Sequence, residues 1–255
     1  GPLRRAVALL ALTSGETGRP DAVHHLLGET GASFDLAIVA CGTGNQVCLA
    51  QKGRLDVDIL VHGKQSHSSL PWLGLNALEG AATVLARLAA HRVVGEHPHL
   101  GRITLTPTAC STEPRATHTV PALARITVDR RLRPGEPPEG ALAELQGFVG
   151  ALPPFEVSYE TGPFMYPYEV RAEDRLPRLL REVFVRELGR EPEYSYSSGG
   201  LDAGYFQQRG IQALMFGPGD TTLAHTADDL VGVADCVDAA AVYAAALRAA
   251  AESAP

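Results

Sequence analysis

"RLDVDILVHG", Arg54 to Gly63, alternates apolar and polar residues over most of its length. A period of two puts Leu55, Val57 and Ile59 on one face of a strand and Arg54, Asp56 and Asp58 on the other. Such a strand packs one face on a core and wets the other, as in antiparallel sheets. Downstream, "NALEGAATVLARLAAH" has helical spacing and strong helix formers. "RITLTPTA" and "ALARITVDRRL" alternate again, "EGALAELQGFVGAL" is a second helix, and "FEVSYETG" a closing strand. The order β-α-β-β-α-β, from about Gly53 to Gly162, predicts a ferredoxin-like α+β domain with both helices on one face of an antiparallel sheet.

Outside this block the pattern differs. Arg5 to Thr13, with the run "AVALLAL", and Phe34 to Ala40, "FDLAIVA", read as continuous apolar strands buried on both faces, with a short helix from Asp21 to Glu29 between them. That predicts a βαβ unit and a parallel sheet. The same style returns in "RLPRLLREVFVRELG", an amphipathic helix ending at Gly189, in the strand "IQALMFGPG", and in the terminal helix "CVDAAAVYAAALRAAA". The expected organisation is an α/β sheet domain, residues 1–52 and 163–255, interrupted by an inserted α+β domain, residues 53–162. The chain runs from Gly1 straight into an apolar strand, as expected of a segment beginning inside a larger fold.

Composition narrows the function classes. Hydrophobic residues make up 45% of the 255 and charged residues 20%, enough apolar material for a sizeable core. The net charge is -7 without any run of Lys or Arg, which argues against nucleic-acid binding. No apolar stretch has the length of a membrane span, and no signal-peptide pattern opens the chain. The four cysteines form no C-x-x-C pair and are too few for a disulfide framework, so a reducing, cytoplasmic setting is expected.

Five stretches carry candidate chemistry, each where a strand ends or a loop turns. Glu16, in "TSGETG", is a lone carboxylate after an apolar strand; an exposed turn residue is the plainer alternative. Cys41, in "ACGTG", is a soft metal ligand or nucleophile by residue type, against a buried inert thiol. His67, in "HGKQSHSSLP", lies in a polar loop where histidines are usually just solvated. In "VDRRLRPGE", alternation puts Asp129 and Arg131 on one face. Arg131 there offers a planar fork to a substrate carboxylate, or forms a surface ion pair. Finally, "SSGGLDAGYF" offers Gly199 and Gly200 for close backbone approach to a ligand, and "FGPGDTTLAHTADDL" places His225 four residues before Asp229, an imidazole with a carboxylate to orient it.

In this order the stretches resemble the co-catalytic zinc amidohydrolases and exopeptidases grouped with acetylornithine deacetylase, succinyl-diaminopimelate desuccinylase, aminoacylase and carboxypeptidase G. "GKQSHSSLPWLGLNAL" is similar to that family's G-K-x-x-H-S-S-x-P-x-x-G-x-N-A-[IL], "DRRLRPGE" to its D-x-R-x-x-P-G-E, "SSGGLDA" to its S-G-G-T-D-A, and "GPGDTTLAHTADD" to its G-P-G…A-H-x-x-x-[ED]. The resemblance implies a zinc-exopeptidase-like sheet domain, incomplete at its N-terminus, with the inserted domain as lid and dimerisation domain. It further implies a homodimer, one or two zinc or cobalt ions, and a small N-acyl amino acid or peptide substrate with a free carboxylate. By that match Glu16 and His225 are ligands of one zinc, with Cys41 a doubtful ligand of the other. His67 is the lid histidine that reaches across the dimer to stabilise the oxyanion. Arg131 binds the substrate carboxylate, and Gly199, Gly200 and Asn76 line the substrate.

The departures set a second expectation. Gly15 stands where the family has its general base, Cys41 stands where it has a carboxylate ligand, and Leu201 and His118 replace its Thr and Asn. The family's H-x-D ligand motif and bridging aspartate are not in this sequence. Loss of a general base typically lowers rate by ~10²–10⁴-fold, about 3–5 kcal/mol. A catalytic zinc usually has about three protein ligands, more than Glu16 and His225 supply. The alternative is therefore a degenerate homologue that binds a small carboxylate or a partner protein without hydrolysis. A nucleophilic role for Cys41 would need a base beside it.

Overall fold

The structure, a computed structural model, describes residues 6–13, 21–29, 33–224 and 226–252. The chain divides into two compact units, Gly53–Phe164 and the pair of segments Gly1–Lys52 and Met165–Pro255.

In the first of these, the alternating segments become β3 (Gly53–His62), β6 (Gly101–Glu113), β8 (Leu123–Leu132) and β9 (Glu156–Met165), and the helical ones α2 (Ala77–Ala89) and α3 (Pro138–Val149). β8 is the template. It pairs antiparallel with β3 from Gly53↔Leu132 to His62↔Leu123, and with β6 on its other side. The sheet order is β5-β6-β8-β3-β9. β5 (Val93–His97) was not expected; it adds a fifth strand, antiparallel to β6. Its composition, "VVGEH", is too short and mixed to show a period.

One face of this sheet is dry. Leu55, Val57, Ile59, Ile126 and Val128 pack with Ala81, Val84 and Leu88 of α2 and Ala141, Leu145 and Val149 of α3. The spacing of those helical residues, in steps of three and four, is what lays one stripe of each helix on the sheet. Arg87 of α2 donates to the carbonyls of Val149 and Ala151, which satisfies the end of α3 and ties the helices together. The opposite face carries Arg54, Asp56, Asp129 and Arg131, partly exposed.

The other unit has a sheet of order β1-β12-β2-β10, with β11 also on β2. Its strands are β1 (Leu36–Ala40), β2 (Val47–Gln51), β10 (Tyr168–Glu169), β11 (Tyr194–Ser197) and β12 (Gln212–Phe216). Its helices are α1 (Asp21–Glu29), α4 (Arg175–Leu188), α5 (Ala203–Gln208) and α6 (Val233–Glu252). α1, α4, α6 and β12 match the sequence expectation. Fully buried β2, "VCLAQ", was missed, although its apolar run was a signal.

The expected first strand did not form. Residues 6–12 have no strand ladder and are mostly exposed. The βαβ unit is therefore absent from the described residues, and the parallel partner of β1 is β12, from Leu36↔Gln212 to Ala40↔Phe216. β1 is half-buried rather than fully buried. The reason is that a strand apolar on both faces needs a ladder partner and a cover for each face. The segment 8–12 instead lies beside β1, and together with Cys41, Asp202, Phe206 and Tyr243 it borders a pocket of about 950 Å³. Among the described residues no helix is long and apolar enough to cross a membrane.

Candidate active site

In the Gly53–Phe164 unit, the stretch from Gly63 to Asn76 folds on itself. Lys64 and Leu75 exchange backbone hydrogen bonds, each 2.8 Å, closing the loop at its base. Gly74 has to be glycine: a Cβ there would lie 2.5 Å from Ser66 Oγ and 2.7 Å from the Lys64 carbonyl. Asn76 ends the loop as the N-cap of α2. Its Oδ1 accepts from the Leu78 N–H at 3.1 Å, and its Nδ2 donates to Glu79 at 3.1 Å. The side chain assigned to substrate by resemblance is thus engaged in starting a helix.

At the tip, Ser66–His67 forms β4, paired antiparallel with β7 (Thr119–Val120), so His67 sits opposite Thr119. The Ser68 N–H donates to the His118 carbonyl at 3.0 Å, and the Leu70 N–H to the His67 carbonyl at 2.8 Å. The His67 ring is exposed, with Nδ1 3.1 Å from the Ser69 N–H nitrogen and 2.8 Å from Ser69 Oγ. The ring of His118 stands 6.2 Å away, tilted by 46°. Among the described residues Nε2 of His67 has no hydrogen-bond partner.

Arg131 faces Asp129, as alternation predicts, and meets it as a fork: Nε to Oδ1 at 2.9 Å and Nη2 to Oδ2 at 3.0 Å. The guanidinium expected to bind a substrate carboxylate already holds one from its own strand. Its neighbour Arg130, given no role in the sequence reading, is the deeply buried one. It is 1% exposed and donates to Glu136 at 2.5 Å and Glu144 at 2.6 Å. Its place in phase with Ala124, Ile126 and Val128, on the apolar face of β8, was the available signal.

In the other unit, the loop after β1 and the turn after β12 interlock. Thr43 Oγ1 donates to Gln46 O at 2.7 Å and accepts from the Gly217 N–H at 3.1 Å. The N–H groups of Thr43 and Asn45 both reach the Gly217 carbonyl. Gly217 admits no side chain, because a Cβ would lie 2.5 Å from the Cys41 carbonyl oxygen. The threonine of "ACGT" thus holds the "GPG" turn.

Cys41 lies at this junction. Burial, and secondarily the nearby Cys48, push its thiol up to about 12, so it is protonated at neutral pH. A protonated thiol is a poor nucleophile. All four cysteines are free. Glu16 and His225, and Gly15 with them, lie outside the described residues. Among the described residues no three or more His, Cys, Asp or Glu side chains are grouped to hold a metal ion. The described part of the chain therefore does not supply a ligand set.

The Gly199–Gly200 loop is held by buried Gln51, whose amide donates to the carbonyls of Tyr166 and Leu201, both at 2.9 Å, and accepts from the Leu201 N–H at 3.1 Å. A Cβ on Gly200 would lie 2.8 Å from the Lys52 carbonyl oxygen. The close approach expected toward a ligand is here an approach to neighbouring backbone. Just beyond, Asp202 is 8% exposed and borders the pocket beside β1. Its carboxylate makes no cap hydrogen bond to α5, and burial raises its pKa.

The profile of the M20 peptidase dimerisation domain matches residues 49–155. The succinyl-diaminopimelate desuccinylase of Corynebacterium glutamicum is 27% identical over 213 residues, covering 82% of this chain and 55% of that protein. The acetylornithine deacetylase of Myxococcus xanthus is 31% identical over 207 residues, covering 78% of this chain and 53% of that protein. The chain thus spans about half the length of these curated relatives. Among solved structures, the aminopeptidase PepT of Bacillus cereus superposes with a TM-score of 0.68 at 18% identity, over 88% of this chain and 60% of that one, which shows a shared fold. Motifs and relatives agree with the matched domain: residues 49–155 are an M20 peptidase dimerisation domain, and the chain is homologous to a curated desuccinylase and a curated deacetylase.

Proposed function

We propose that the chain serves metal-dependent hydrolysis of an amide bond in an N-acyl amino acid or small peptide with a free carboxylate, as a homodimer formed through the 49–155 domain. The relatives, by name a desuccinylase and a deacetylase, support the reaction class. The observation that carries the reading is His67: an exposed imidazole on a closed, twice-bonded loop tip, with Nε2 open. A zinc or cobalt ion, when bound, would supply Lewis acidity and a more acidic water. The described residues give no ligand set for it. His67 donates from Nε2 to the carbonyl oxygen as negative charge develops, and a preplaced donor of this kind typically contributes ~10²–10³-fold in rate. Arg131 binds a substrate carboxylate by exchanging Asp129 for it, fork for fork.

The test is amine release from a panel of N-succinyl and N-acetyl amino acids and dipeptides, with zinc or cobalt added. The protein should carry whatever its gene encodes before Gly1. Turnover that falls by about 10²–10³-fold in His67→Ala supports the reading. No amine from any substrate overturns it. A second reading, carboxylate or partner binding without hydrolysis, is favoured by Gly15 at the general-base position and by Cys41 in place of a carboxylate ligand. Stoichiometric metal together with turnover would refute that one.

A further inference from the structure

We propose that Ser69 is a positioning residue that fixes the tautomer of His67, making Nε2 the permanent donor. Two groups of Ser69 converge on His67 Nδ1: the backbone N–H at 3.1 Å and the hydroxyl at 2.8 Å. A backbone N–H can only donate. Nδ1 must therefore present its lone pair, and in the neutral ring the proton sits on Nε2. With Nδ1 already an acceptor, the freely rotating Ser69 hydroxyl turns its own hydrogen toward the same lone pair. The opposite tautomer would set two N–H groups against each other.

The backbone makes this arrangement hard to escape. His67 is held by the β4–β7 pairing, with His67 opposite Thr119. Ser68 is bonded to the His118 carbonyl and Leu70 to the His67 carbonyl, so the Ser69 N–H cannot swing away without breaking the turn. The same argument excludes a second role. Nε2 carries the proton, so it has no lone pair to give a cation. The neighbouring ring of His118, 6.2 Å away, does not make with His67 a two-histidine metal site. His67 presents a donor to an anionic or carbonyl oxygen instead.

The catalytic consequence rests on the reading of His67 as the oxyanion donor, but the tautomer can be measured without turnover. The chain has 9 histidines, so ¹⁵N-histidine labelling with His67→Gln as the assignment control resolves the ring. Spectra are taken near pH ~8.5, where an ordinary imidazole is neutral. The expected result is an unprotonated-type Nδ1 and a protonated-type Nε2 for His67. Ser69→Pro, at an exposed site, removes the N–H and should lower the ratio of Nε2–H to Nδ1–H by about three- to tenfold, the effect of one lost hydrogen bond. Ser69→Ala keeps the N–H and should leave Nε2–H the dominant form. An Nδ1–H ring in the parent chain or in Ser69→Ala, or a ratio that Ser69→Pro leaves unchanged, overturns the proposal. Where amine release is detected, Ser69→Pro should lower kcat by a similar factor with KM unchanged. A locked tautomer combined with full activity in His67→Ala would leave the positioning intact and remove the oxyanion reading.

Discussion

Replacing Tyr168 by Phe removes one oxygen atom and nothing else, at a point where the sheet depends on it. Tyr168 is 2% exposed, its hydroxyl donating to the Cys48 carbonyl at 2.8 Å and accepting from the Met215 N–H at 3.1 Å. Those residues form the single register pair between β2 and β12, Met215↔Cys48. The phenol thus bridges two strands where their ladder is shortest. Phe fills the same space, so no cavity term enters, but a buried donor and a buried acceptor lose their partner. Each orphaned group costs roughly 1–3 kcal/mol, and the two together about 2–4 kcal/mol when they partly compensate each other. At about 1.4 kcal/mol per decade, protection of the Met215 amide should fall roughly thirty- to several-hundred-fold in hydrogen exchange. Urea unfolding should show the loss in the transition of the unit containing β2 and β12, leaving the Gly53–Phe164 transition in place. Burial pushes the Tyr168 phenol well above its ordinary value, so the difference should be constant from neutral to mildly alkaline pH. A loss below about 0.5 kcal/mol, with Met215 exchange unchanged, would refute the bridging role. The consequence for the site is direct, because β12 runs straight into the Gly217 turn that Thr43 holds.

Arg130→Met should destabilise the Gly53–Phe164 unit by about 3–5 kcal/mol in urea, since it removes the buried guanidinium that Glu136 and Glu144 share. Adding Glu136→Gln and Glu144→Leu should recover most of it, and no recovery would show that the ion triad is not the cause. Brief iodoacetamide treatment near neutral pH should label exposed Cys110 and Cys236 and spare Cys41 and Cys48, read by peptide mass spectrometry. A first adduct on Cys41 would contradict its protonated state. For Asp202 the folded pKa is raised by burial above the unfolded value of 3.8. The folded state therefore holds its proton more tightly, and the penalty of the charge is full above the raised value and gone below 3.8. Asp202→Asn should raise the unfolding midpoint at neutral pH and lose that advantage in acid; an equal gain at both ends would refute a charge effect.

Periodicity carried the inserted domain. Alternation in Arg54–Ile59 and Leu123–Leu132 assigned faces that the β3–β8 ladder reproduces, because a half-buried strand writes its environment into every second residue. α4 and α6 were legible for the same reason, with Gly189 in left-handed conformation closing α4. The motifs around His67, Arg131 and the glycine turn were also legible, because each is short and built from residues tied to special backbone or chemistry. Contacts between segments far apart in the chain were not. "AVALLAL" has the composition of a buried strand, yet residues 6–12 join no ladder, and composition does not supply a neighbour. Asn76 and Arg131 carry polar groups that a motif can name but whose partner only geometry decides: Leu78 and Glu79 for one, Asp129 for the other. His67 shows the division within one residue. The sequence determines that an imidazole is present, and the tertiary fold decides which nitrogen holds the proton, because only the closed loop brings the Ser69 N–H onto Nδ1.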